Sequence, residues 1–199
     1  FAGSPESTKE VLEANVDARM YLGKGSDVLP LLVHDHQTHM HNYITRLSFE
    51  TRRMMAMYGH IRYLHTPIEA LLRYLLFAEE APLPSPIPAN TAFMEDFQKG
   101  AHKDAKGRSL RDFDLQTRLF KYPCSFLVES ESFRELPPVL REHLLRRLWE
   151  ILTEQDASQT FAKLDGSSRR AVLEILRAVI PDLPEYWHGD GTPSAKAEP

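Results

Sequence analysis

The chain has 199 residues, 42% hydrophobic and 26% charged, with a formal net charge of −4. Those proportions suit one globular domain and argue against a disordered chain. So weak a charge creates no field for nucleic acid or an anionic membrane, and no apolar run reaches the roughly 18 residues that a bilayer-spanning helix needs.

Residues 1–26 read as an N-terminal extension, 27–187 as a single helical domain and 188–199 as a disordered tail. The chain starts at Phe1 rather than Met, so we expect a piece of a longer precursor. Ser4 and Pro5 suit the cap and first position of a short helix over 5–14. A long helix is predicted over 27–58, with Gly59 as its stop. Thr66, Pro67 and Glu69 spell a capping box for a leucine-rich helix over 67–79. Pro82, Pro84, Pro86 and Pro88 then force an extended spacer without ladder hydrogen bonds.

Two short helices are expected near 92–98 and 110–120, joined by the polar, mobile-looking linker KGAHKDAKGRS. Phe126-Leu127-Val128 is compatible with a short strand or a buried helical turn. The only cysteine, Cys124, reads as a buried small hydrophobe, and one cysteine excludes an internal disulfide. Further helices are predicted over 138–154 and 169–180, the second stopped by Pro181. The expected fold is all-α: an irregular multi-helix bundle with long proline-rich and polar connections. Its three leucine-rich helices should pack around the long one.

The densest chemistry lies in His34-Asp35-His36-Gln37-Thr38-His39-Met40-His41. A helix advances about 100° per residue, which scatters these imidazoles. His34 and His41 fall on the polar side. His36 lands inside the apolar stripe formed by Leu29, Leu32, Val33, Met40, Tyr43, Ile44, Leu47, Met54 and Tyr58. His39 lies at the stripe's edge. Besides acid–base work, two readings of His36 stand side by side. It is a hydrogen-bonded core residue, or it shares a transition metal or a haem contact with His39 and Met40. A metal would need a further ligand, for which Asp35, His60, His65 and His143 are candidates.

Along the same edge run Tyr43, Arg46 and Glu50, between His39 and Arg53. If buried, Arg46 and Glu50 would form a charged pair able to orient a histidine. Arg141, Arg146 and Arg147 read as a solvated face. No phosphate loop, nucleophile elbow or His-Glu-x-x-His is present, so no catalytic residue is assigned. Without Cys-x-x-Cys-His the chain binds no c-type haem covalently in the usual way.

Several stretches carry a resemblance: HDHQTHMHNYITRLSFETR, EALLRYLLFAEEAPL, KGRSLRDFDLQTRLFKYPCSFLVES, FRELPPVLREHLLRRLWEIL and RRAVLEILRAVIPDLPEYW. Over 26–187 the chain resembles the C-terminal part of a group of uncharacterised bacterial exported proteins associated with c-type cytochrome modules. The resemblance implies a periplasmic, redox-linked setting and assigns no residue a role. Two functions follow. One is a non-catalytic accessory domain that docks on a protein partner or an upstream cytochrome domain. The other is an electron-transfer module that contacts a metal or haem through the histidine-rich helix.

Overall fold

The first helix, α1 (Val28–Tyr58), owes its 31 residues to an apolar stripe recurring at steps of three, four and seven. Leu29, Val33, Met40, Ile44, Leu47 and Met54 are buried along it, and His36 and Thr51 fill the remaining core positions. Gly59, at φ +72°, ends the helix, a conformation that glycine adopts without a Cβ clash. These features come from a computed structural model, which describes residues 28–156 and 158–189. The short helix expected over 5–14, and the tail beyond 189, lie outside the described residues.

Five more α-helices follow: α2 (His65–Leu75), α3 (Thr91–Lys99), α4 (Glu131–Arg134), α5 (Pro138–Leu152) and α6 (Gly166–Val179). The described residues contain no strand, only an isolated bridge between Phe113 and Phe120, so the fold is all-α as expected.

The local expectations fare unevenly. The capping box at Thr66 does not form. A 3-10 turn, Arg62–Leu64, runs straight into α2, Leu64 holds the cap position without a side-chain bond, and Glu69 is taken by Arg147. Helix α2 also stops at Leu75, short of residue 79, and Phe77 takes φ +51° just beyond it. No helix forms over 110–120. There Asp112 accepts from the Ser109 N–H, and Asp114 accepts from the Thr117 hydroxyl and the Gln116 N–H. Aspartates that bond their neighbours' backbone in this way compete with helix.

The same stretch pins the proline spacer. The Leu83 N–H donates to the Thr117 carbonyl at 3.0 Å, and the Ile87 N–H to the Leu115 carbonyl at 2.9 Å. Alternating prolines leave Leu83 and Ile87 with their donors, so the spacer does carry ladder-like bonds. The polar linker is likewise tied down. Asp104 accepts from the backbone of Lys106 and Arg108, and Arg108 and Lys106 both reach Glu174 on α6. Phe126–Glu129 is a buried 3-10 turn, and Cys124 is fully buried.

The principal helix contacts form a series: α1 on α2, α2 on α5, α5 on α6, with α4 also against α1. The expected ring of leucine-rich helices around α1 is therefore a side-by-side arrangement. Ile68, Leu71, Leu72 and Leu75 of α2 are all buried, so α2 serves both neighbours.

The supposed solvated arginine strip of α5 is a set of ties. Arg147 bonds Glu69 at 2.9 Å, Glu150 at 2.6 Å and Asp156 at 2.7 Å. Arg141 pairs with Asp182 at 2.9 Å, and Arg146 stacks over Tyr186. Helix α6 starts at Asp165, whose carboxylate accepts from the Ser167 and Ser168 N–H groups, both at 2.9 Å. Those bonds and both serine hydroxyls hold its carboxyl well below the usual range. Asp165→Ala should cost about 1–2 kcal/mol in denaturant unfolding, and Asp165→Asn clearly less. Equal losses in the two variants would mean that the cap contributes nothing specific.

Candidate functional site

His36 reaches the core because the helical period puts it in line with Val33, Met40 and Leu47. It is 4% exposed. Tyr74 and Phe77, from α2 and its exit, stack on its ring with centroids 5.3 and 4.9 Å away. Phe120 meets it edge-on at 5.7 Å, and Phe126 lies 6.1 Å away. Its Nε2 sits 2.8 Å from Ser125 Oγ.

Ser125 is itself fixed twice. Its N–H donates to the Leu75 carbonyl at 2.7 Å, and its Oγ accepts from the Leu127 N–H at 3.2 Å. One imidazole therefore joins α1, the end of α2 and the 3-10 turn. Burial pushes the His36 pKa down to about 4; Asp35 opposes the shift and His39 adds to it. His36 is neutral near pH 7.

A serine bonded to a histidine invites comparison with a nucleophile and its base. That chemistry needs a substrate to reach the hydroxyl. Ser125 is fully buried, and neither it nor His36 lines either of the two clefts described below. The pair acts as an internal hydrogen bond.

The remaining predicted site residues diverge. His39 is exposed, its ring 5.2 Å from Tyr74 and 6.1 Å from Tyr43. Met40 is fully buried in the core. His36 and His39 are thus helical neighbours facing opposite environments. Among the described residues no three His, Cys, Asp or Glu side chains gather closely enough to hold a metal ion. His60 packs with Tyr58 and Tyr63 beyond the end of α1. His65 lines an open cleft with Glu69, Arg73 and Arg147. His143 has its pKa lowered by burial and by Arg147. In the polar line, Tyr43 is half-buried, Arg46 is exposed, and Glu50 bonds Arg53 at 3.0 Å instead of Arg46. The buried Arg46–Glu50 pair does not exist, because that edge faces solvent.

Sequence reasoning missed two features. The first is the outer face of α1. Phe49 is 65% exposed, Met57 59%, Tyr58 50% and Tyr63 68%. Helical periodicity places Tyr58 on the apolar stripe, but all of residues 55–58 are exposed, because the helix outruns its core. Steps of three and four put Arg46, Phe49, Arg53 and Met57 on one side. The Tyr58, His60 and Tyr63 rings, 5.2–6.1 Å apart, continue the surface past the helix end. The signal was present: Phe49 sits opposite the buried stripe on the helical wheel.

The second feature is a cleft bordered by α4, α5 and the end of α6. There Glu129 Oε2 lies 2.8 Å from Nδ1 of His102. Twenty-seven residues separate the partners, so no local pattern announces them.

Comparison with protein-family models, curated proteins and solved structures gives no match to this chain. No helix among the described residues is long and apolar enough to cross a membrane.

Proposed function

We propose that this chain is a non-catalytic accessory domain of a larger exported, redox-linked bacterial protein, and that it docks a protein partner through the outer face of α1 and the turn after it. The observation that supports the reading is the exposed Phe49, Met57, Tyr58 and Tyr63 surface, interleaved with Arg46, Arg52 and Arg53. Aromatic residues, methionine and arginine are the side chains enriched at protein interfaces. Large rings supply much contact area for few frozen torsions, so they tend to dominate binding energy.

Charge indicates the partner. Residues 36–68 carry four arginines and one acid, Glu50, in a chain that is acidic overall. A basic rim around an apolar centre favours a partner with an acidic rim and an apolar centre. The exported, cytochrome-linked setting draws on the sequence resemblance alone. The competing electron-transfer reading needs His36 to leave Ser125 and Met40 to leave the core, so docking is the simpler use of this surface.

Site-specific photo-crosslinking in the producing cells tests the reading. A crosslinker placed at Phe49 or Tyr63 should trap one predominant protein, and Arg46→Glu combined with Arg53→Glu should reduce that product at least tenfold. A crosslinker at Glu142, on α5, should not trap it. Equal trapping from both faces, crosslinks confined to this chain, or a product indifferent to the charge reversals would overturn the proposal.

A further inference from the structure

The cleft beside His102 has a volume of about 320 Å³. That lies at the small end of ligand sites. Its apolar lining comes from Val128 and Phe133 and from Ile180 and Pro181, just after α6. His102, Glu129, Arg134, Arg141 and Asp182 supply its polar groups. Apolar wall and converging polar groups together are the usual anatomy of a small-molecule site.

Its charges are unevenly answered. Arg141 is opposed by Asp182 at 2.9 Å, and its Nε is buried without a hydrogen-bond partner among the described residues. Arg134 is exposed and pairs with no carboxylate among the described residues. Glu129, with its side chain 9% exposed, spends one oxygen on His102 and has no hydrogen-bond partner for the other among the described residues. Burial raises the Glu129 pKa, while His102 and Arg111 oppose the rise. Glu129 thus orients His102, whose side chain is 68% exposed at the rim.

We infer that this cleft binds a small monocarboxylate with a short apolar or aromatic body. Arg134 and Arg141 receive the carboxylate, for which the planar guanidinium is the matched partner. Phe133 and Ile180 cover the apolar body, and the imidazole held by Glu129 faces the polar end. A dianion fits less well, because Asp182 already answers part of the Arg141 charge and Glu129 lies on the same cleft. The inference is independent of the docking face on α1, which lies on other elements.

Phenylacetate titrated into the whole protein, followed by NMR of the His102 ring and the Ile180 methyls, tests it, with phenylacetamide as the uncharged counterpart. Saturable shifts at both residues are expected with the acid, and at least tenfold weaker binding of the amide. Arg134→Gln, a change at an exposed side chain with no ion pair, should weaken the acid severalfold and leave the amide unchanged. His102→Ala should weaken the acid without loss of folded signals. No saturable shift at millimolar acid, shifts confined to other surfaces, or equal binding of acid and amide would overturn the assignment.

Discussion

Replacing Arg169 with alanine is expected to lower the unfolding free energy by about 3–5 kcal/mol, the largest single-residue effect outside the leucine core. Arg169 is 7% exposed and pairs with no carboxylate among the described residues. It donates instead to three backbone carbonyls: Nε to Leu164 at 2.8 Å, Nη2 to Phe161 at 2.6 Å, and Nη1 to Ile151. The Ile151 carbonyl belongs to the last turn of α5, where the helix dipole is negative and a cation is favoured. The other two lie in the connection to α6. One guanidinium therefore closes the end of α5, orders the connection and anchors the start of α6.

Truncation removes a charged donor from all three carbonyls, each bond worth about 1.5–3 kcal/mol before relaxation and water entry offset part of it; the Ile151 and Phe161 carbonyls keep the N–H groups of Glu154 and Leu164. Arg169→Lys should recover less than half of the loss, because an ammonium cannot address three carbonyls with the fork geometry of arginine. Denaturant melts of the two variants decide this. A loss under about 1 kcal/mol for Arg169→Ala would show that the connection holds itself together.

Acidification from pH 6.5 to pH 4 is expected to remove about 3 kcal/mol of stability through His36 alone. The sign follows from the direction of the shift. Folding lowers the His36 pKa from 6.5 to about 4, so the unfolded chain takes up the proton first. The contribution is complete above pH 6.5 and is lost as pH falls toward 4. His36→Gln keeps a polar group within reach of Ser125 and cannot titrate. It should be less stable than the parent at pH 7 and should lose most of the pH dependence in this window.

His143, whose pKa is also lowered, keeps its own contribution in both proteins, so the difference between them isolates His36. The depressed carboxylates Asp104, Asp156, Asp165 and Glu174 lose their contributions at lower pH. Parallel stability–pH curves for parent and variant would refute the burial of a neutral His36.

The histidine-rich segment separates what a sequence can say from what it cannot. Helical periodicity puts His36 inward and His34 and His41 outward, and the side chains lie that way, whereas His39, expected at the margin, is exposed. Periodicity could not identify what His36 meets. Ser125 is 89 residues away. Tyr74, Phe77 and Phe120 also arrive through tertiary packing. The choice between a metal and a core hydrogen bond depends on those distant groups.

Failures elsewhere share a cause. A helix is expected over 110–120, but Asp112 and Asp114 bond the local backbone, and Leu115 and Thr117 lend their carbonyls to the proline spacer. The Thr66 box lost because the chain enters α2 directly from a 3-10 turn and Glu69 is drawn to Arg147. The arginines of α5 looked solvated because their acceptors, Glu69 and Asp182, lie on other elements.

What the amino-acid order determined by itself is the all-α class, the extent of α1, and the inward or outward sense of its histidines and of the buried stripe as far as Met54, because these follow from short-range periodicity and backbone preference. What only the tertiary structure decided is which polar groups are satisfied: Arg169 by three carbonyls, Arg147 by three carboxylates, His36 by a serine, His102 by a buried glutamate. Partner choice is a matter of distance in space, and in this chain most of those partners are brought together by loops that carry no periodic signal.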